Sequence, residues 1–252
     1  MSADSPPRDK SFAIKLGDFL FKYRNAVFPF LIVTLFVAFR PIEWTFAGEP
    51  QEQLKNVIAI LVVLAGLGLR AAVIGLAYIK RGGVDKKVYA DRLVSEGFFA
   101  ACRNPLYLGN MVVYLGIFLM HGNPLLILLG TGLFLVIYSA IIAAEEHYLL
   151  GKFGDVYRDY MASVPRWSIR IAVLRAEMRR MRFDWRLVLA KDYSTVASAS
   201  MALLAAEVLE NVRAHEAADL ADRAPIYVGL ALFVGVATLT VRHWKKSHPR
   251  PV

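Results

Sequence analysis

The stretch LYLGNMVVYLGIFLMHGNPLLILLGTGLFLVIYSAIIAAEEHYLL, residues 106–150, decides the fold. It holds two apolar runs, Leu106–His121 and Pro124–Leu150, with no charge before the Glu145-Glu146 pair. Crossing about 30 Å of hydrocarbon at 1.5 Å per residue takes roughly 20 residues, so each run is a candidate span. Between them His121-Gly122-Asn123-Pro124 supplies residues that suit a tight turn between antiparallel helices, and the pair reads as a helical hairpin.

Four more runs of this kind flank the hairpin. Tyr23–Phe39 is bounded by Arg24 and Arg40-Pro41, and Asn56–Ile79 is interrupted only by Arg70. Ser194–Leu209 is the weakest, being rich in Ala and Ser and carrying Glu207, whereas Ile226–Trp244 is clean and ends in a Trp suited to the interface. The expected fold is therefore all-α, a polytopic bundle of about six spans. The composition agrees: 57% of the 252 residues are hydrophobic, too many for an ordinary soluble domain.

The net charge of +9 does not require nucleic acid, because basic residues of a membrane protein gather on cytoplasmic loops and contact anionic headgroups. Lys and Arg number 5 from the N-terminal arm to Arg24, 6 in Lys80–Arg103, 10 in Lys152–Lys191 and 4 in the C-terminal tail, against 4 in the three intervening loops. That alternation fits an even number of spans with both termini cytoplasmic. Met1–Lys10 is polar with Pro6 and Pro7 and reads as no signal peptide. One cysteine, Cys102, excludes an internal disulfide and a cysteine-based metal site, and no metal is expected.

The expected organisation is an arm (1–22), a four-span core (23–166), a basic amphipathic helix (167–192) and two C-terminal spans with a basic tail (193–252). In the third segment Ile171, Leu174, Met178, Met181, Trp185 and Val188 fall on one helical face and six arginines on the others. A helix of that pattern suits an anionic lipid surface, or packing against its own protein.

Polar groups within hydrocarbon are costly, which directs attention to Arg70. It is either paired with a carboxylate or a fixed cation facing an anionic group, and Gly66 and Gly68 beside it allow close approach. Glu145 and Glu146 stand about 100° apart on their helix, so only one points squarely into the bundle. Asn104-Pro105 is a good helix start and, with Arg103, a potential anion site. Phe153-Gly154-Asp155-Val156-Tyr157-Arg158-Asp159-Tyr160 and Val164-Pro165-Arg166 add aromatics and cations at the same end.

In order, Leu93-Val94-Ser95-Glu96-Gly97, Arg103-Asn104-Pro105-Leu106-Tyr107-Leu108-Gly109, Glu145-Glu146, the Phe153–Tyr160 run and Val164-Pro165-Arg166 resemble the membrane methyltransferase superfamily. It contains the isoprenylcysteine carboxyl methyltransferases and the phospholipid N-methyltransferases. The resemblance covers roughly Gly66–Arg166, with Gly66-Leu67-Gly68 similar to the Gly-x-Gly element of the phospholipid branch. It implies S-adenosylmethionine as cofactor and a lipid or other membrane-partitioned acceptor. On it, the cofactor-binding residues are Gly66, Gly68, Arg103, Asn104, Pro105, Tyr107, Gly109, Glu145, Glu146, Tyr157 and Tyr160. Glu146, Arg70 and Arg166 are the implied catalytic residues, with Glu146 the base for an amine or the arginines orienting a carboxylate.

One departure stands at Asn104, where many members have His. An Asn amide donates a hydrogen bond but takes up no proton at neutral pH. The alternatives are a sterol-reductase-like NADPH enzyme, expected to have more spans, and a non-catalytic lipid-binding subunit on the same scaffold. No internal repeat points to a transporter.

Overall fold

The structure, a computed structural model, describes residues 11–42, 44–46, 49–76, 90, 92–179, 181–214 and 217–248. Met1–Lys10, the end of the expected second span at 77–79 and most of the basic stretch from Lys80 lie outside the described residues. Helix α1 runs Phe12–Ala38, α2 Glu52–Leu76, α3 Phe98–Ala101, α4 Pro105–His121 and α5 Pro124–Phe153. They are followed by α6 Asp155–Ser163, α7 Ile171–Met178, α8 Trp185–Ala214 and α9 Ala217–Ser247. Between α1 and α2 a two-residue ladder pairs Thr45 with Pro50 and Phe46 with Glu49, antiparallel.

Five helices, α1, α2, α5, α8 and α9, are long and apolar enough to cross a bilayer. Helix α4 is also apolar and, at 17 residues, about 25 Å long. This is an integral membrane helical bundle. Helix α1 starts at Phe12, well before the expected Tyr23, because backbone hydrogen bonding continues through Lys15, Asp18 and Lys22 where hydropathy does not.

The hairpin forms as the sequence predicts. Gly122 takes the left-handed conformation, φ 77°, that ends α4. Asn123 caps α5, its Oδ1 accepting from the amides of Leu125 (3.0 Å) and Leu126 (3.2 Å), and Pro124 takes the first helical position. Its Nδ2 donates to the Arg40 carbonyl at 2.9 Å, which ties the turn to the end of α1.

Helices α2 and α4 meet along a line of small residues. A Cβ on Gly66 would sit 2.7 Å from the Val113 amide nitrogen, and one on Gly116 would sit 2.8 Å from that of Val63. Close helix approach of this kind is a principal source of cohesion where lipid tails are as apolar as the side chains. Gly68 faces away, and a Cβ there would meet nothing within 4 Å among the described residues. Gly66→Ala is therefore expected to destabilise the detergent-solubilised protein by about 1–3 kcal/mol. Gly68→Ala should be neutral or up to about 1 kcal/mol stabilising through helix propensity. Thermal unfolding of the two variants side by side checks the contrast.

Helix α8 joins the bundle through polar pairs on α2. Asp192 pairs with Arg70 near one end, and towards the other Glu207 accepts from Asn56 Nδ2 at 3.1 Å while Glu210 accepts from Lys55 Nζ at 2.5 Å. The basic segment departs from the expected single helix. It is helical over Ile171–Met178, then Asp184 donates its amide to the Gly75 carbonyl (2.8 Å) and accepts from the Leu187 amide (3.1 Å), starting α8. Trp185 and Val188 thus belong to the fifth span. Phe183 lies against Gly75, where a Cβ would sit 2.3 Å from its ring. This anchorage on α2 overrides the periodicity that reads as one helix.

Candidate active site

At the end of the bundle where α4 begins and α5 finishes, two loops cross. Gly97 (φ 63°) starts α3, and the chain then runs through Cys102, Arg103 and Asn104 into α4. Gly154 (φ 55°) turns the chain from α5 into α6, which leads to Val164-Pro165-Arg166. The Arg103 amide donates to the Pro165 carbonyl at 2.9 Å and Asn104 Nδ2 to the Arg166 carbonyl at 3.2 Å. Asn104 is the residue before α4 but makes no side-chain cap, its amide serving the opposite loop.

Glu146 clamps these loops. Its Oε1 accepts from Arg103 Nη1 at 2.7 Å and from Arg166 Nε at 3.2 Å, while Oε2 accepts from Arg166 Nη2. Two cations around one carboxylate leave a net positive centre. Arg103 Nε is buried and has no hydrogen-bond partner among the described residues, an orphaned donor of the sort that costs stability unless a ligand satisfies it. Arg166 is 41% exposed against 13% for Arg103, so the clamp opens to the outside on its Arg166 side.

Glu145 points elsewhere. Its Oε1 accepts from Tyr107 Oη at 2.6 Å, and no ion pair engages it among the described residues. The Tyr107 ring lies 5.0 Å from that of Tyr138. The Tyr138 hydroxyl accepts from Asn110 Nδ2 at 2.9 Å.

Tyr157 is buried, its ring 5.8 Å from that of Tyr160. Tyr160 donates its hydroxyl to the Phe99 carbonyl at 2.7 Å. Burial, reinforced by Glu146 at Tyr157 and by Tyr157 at Tyr160, raises both phenols above their ordinary range, so they stay protonated and act as donors and aromatic surface. Burial also raises the Cys102 thiol, which makes it a poor nucleophile.

The structure thus gathers Arg103, Asn104, Pro105, Tyr107, Glu145, Glu146, Tyr157, Tyr160 and Arg166 at one end of the bundle. Gly66 and Gly109 serve the α2–α4 contact, and a Cβ on Gly109 would sit 2.6 Å from Arg70 Cγ. Gly68 stands apart. Arg70 is buried and held by Asp192, Asn110 and Thr195. Asn110 and Tyr138 were legible as polar residues within spans, but nothing in the sequence assigned Asp192 to Arg70.

The phospholipid methyltransferase family profile matches residues 54–156, which hold α2 to α5 and the Glu145-Glu146 pair. Over 73 residues the chain is 37% identical to the protein-S-isoprenylcysteine O-methyltransferase of Schizosaccharomyces pombe, 29% of this chain and 31% of that one. Residues 54–156 belong to the membrane methyltransferase superfamily. Two longer matches carry other names. The nickel-cobalt-cadmium resistance protein NccN of Alcaligenes xylosoxydans xylosoxydans is 25% identical over 64% of this chain and 72% of its own. The cobalt-zinc-cadmium resistance protein CzcN of Cupriavidus metallidurans is 25% identical over 70% and 77% respectively. No solved structure matches.

A second polar cluster lies near the opposite end of the bundle. One carboxylate oxygen each of Glu52, Glu207 and Glu210 falls within 4.8 Å of the others, a spacing a metal ion could bridge. Lys55 lies among them, fully buried, its Nζ 2.7 Å from Glu52 and 2.5 Å from Glu210. Its ammonium already supplies the counter-cation.

Proposed function

We propose that this membrane methyltransferase transfers the methyl group of S-adenosylmethionine to a membrane-partitioned lipid acceptor, with the clamped end of the bundle and both termini in the cytoplasm. The observation that carries this reading is the net positive centre of Arg103, Arg166 and Glu146 with the Arg103 Nε–H buried and unused. A donor carboxylate fits that N–H and the more exposed face of Arg166. Tyr157 and Tyr160 offer aromatic surface for adenine and for the sulfonium, the latter by cation–π attraction. The concentration of Lys and Arg on this side supports the orientation. The exposed Arg175 of α7 and Arg170 and Arg179 at its two ends face anionic headgroups in the same reading.

When bound, S-adenosylmethionine supplies an activated methyl whose C–S bond breaks, the electron pair going to sulfur, as the bond to the acceptor forms. The residues of this chain align the partners and keep water out. The acceptor that fits the charges is an amine. With the remaining capacity of Arg103 and Arg166 given to the donor carboxylate, and Arg70 held by Asp192, no second site among these cations is left to orient an acceptor carboxylate. Glu145, bonded to a neutral phenol, is the carboxylate free to attract an ammonium group and to take the proton that the nitrogen loses. On this reading the base is Glu145, with Glu146 structuring the donor side.

Calorimetry of the purified protein in detergent tests the proposal. S-adenosylmethionine should bind and NADPH should not. Arg103→Ala should weaken donor binding by about 10–100-fold, the worth of a charged hydrogen bond of about 1.5–3 kcal/mol. A folded sample that binds NADPH instead, or neither nucleotide, overturns it.

A further inference from the structure

The family match ends at residue 156, yet a residue far beyond it reaches into the core. Asp192 of α8 is 1% exposed, and its two carboxylate oxygens accept from Arg70, Oδ2 from Nε at 3.1 Å and Oδ1 from Nη2. Arg70 Nη2 also donates to Thr195 Oγ1 at 3.1 Å, and Nη1 donates to Asn110 Oδ1. Four of the guanidinium's five N–H groups are accounted for by these contacts. The fork therefore has one orientation.

That orientation is passed on. Asn110, its carbonyl oxygen held by Arg70, turns its Nδ2 to the Tyr138 hydroxyl at 2.9 Å. Tyr138 is 2% exposed and its ring packs at 5.0 Å on Tyr107, which donates to Glu145 at 2.6 Å. The route from α8 to Glu145 thus runs through four direct polar contacts and one ring contact, with no exposed residue along it.

We infer that Asp192, with Thr195, is a positioning residue for methyl transfer, fixing Arg70 and through Asn110 and Tyr138 the placement of the Tyr107–Glu145 pair. The inference rests on the proposed function for what Glu145 does, and on the structure alone for what holds it. A long arginine in hydrocarbon that loses its carboxylate draws its charged head towards water. Asn110 then loses the partner that fixes its amide, and Tyr138 its donor. Helix α8, although outside the family's core, is in this account part of the active site.

The test pairs Asp192→Asn with Glu207→Gln, a change that weakens the contact of α8 with α2 near the opposite end. Both variants should unfold at lower temperature than the wild type. Only Asp192→Asn should shift the infrared carboxyl band of Glu145, assigned by its loss in Glu145→Gln. The same variant should lower kcat for transfer of radiolabelled methyl into lipids of native-membrane vesicles by about 10–100-fold, the cost of a misplacement of about 1 Å. Its affinity for S-adenosylmethionine should stay within about twofold, since the donor clamp is untouched. Arg70→Gln with Asp192→Asn should be no slower than Arg70→Gln alone, because the two act as one unit. An Asp192→Asn protein whose Glu145 band matches that of Glu207→Gln overturns the inference whether or not transfer is detected. A wild type that binds no S-adenosylmethionine overturns the proposed function, and the infrared comparison still judges the network.

Discussion

Glu146→Gln should cut methyl transfer by about 10²–10³-fold, the range seen when one preorganised electrostatic contact is removed from an active site. The carboxylate accepts three hydrogen bonds from two guanidinium groups. A glutamine keeps one acceptor oxygen and turns an amino group towards a cation, leaving Arg103 and Arg166 to repel each other. The two loops would then be held by hydrogen bonds that end on backbone carbonyls, among them the Arg103 amide to Pro165, the Asn104 side chain to Arg166 and the Tyr160 hydroxyl to Phe99, none of which offsets the two like charges. Donor affinity should fall with transfer. Glu145→Gln should differ in kind, abolishing transfer to an amine while donor affinity stays within about threefold, because its partner Tyr107 belongs to the acceptor side. Calorimetry with S-adenosylmethionine and radiolabel transfer on both proteins separate the roles. Equal losses of donor binding in the two variants would reject the division between them.

Much of this site was legible because its residues obey local rules. A run free of charges reveals a span, Gly-Asn-Pro reveals the turn, and an acid pair at a span's end stands out against apolar neighbours. The order of motifs from Leu93 to Arg166 then carried the resemblance that the family profile supports over residues 54–156. Which glutamate does what was not legible. Glu145 and Glu146 have the same flanking chemistry, and their difference arises from a helical rotation that aims one at the loop crossing and the other at Tyr107. Helix α8 was weak in the sequence for a related reason. Its place in the bundle depends on pairs with Arg70, Asn56 and Lys55, each more than 120 positions away, so hydropathy alone undervalues it. The basic segment misled in the opposite direction. A clean apolar stripe runs through Met181 to Val188, but the anchorage of Phe183 and Asp184 on Gly75 is a tertiary contact with no local sign.

Those distant pairs set the second large effect, at Lys55. Its side chain is fully buried, while that of Glu210 is 5% and that of Glu52 34% exposed. Lys55→Ala would leave the Glu210 carboxylate buried beside Glu52 with no cation from α2, a loss of about 3–5 kcal/mol by the usual cost of breaking one side of a buried pair. For a chain of this length that lowers the midpoint of thermal unfolding by roughly 10 °C or more. Removing both charges should behave otherwise. Lys55→Met with Glu210→Leu replaces the pair by apolar groups of similar volume and should recover most of the stability, because the desolvation cost of both ions disappears together. Glu52 can still turn to water. Transfer per folded molecule should match the wild type in the double variant, since the cluster is near the end of the bundle opposite Glu146. A Lys55→Ala protein as stable as wild type would mean that Lys55 is not the cation offsetting these carboxylates. A double variant less stable than the single one would mean that the polar pairs, more than the packing around them, hold α8 to α2.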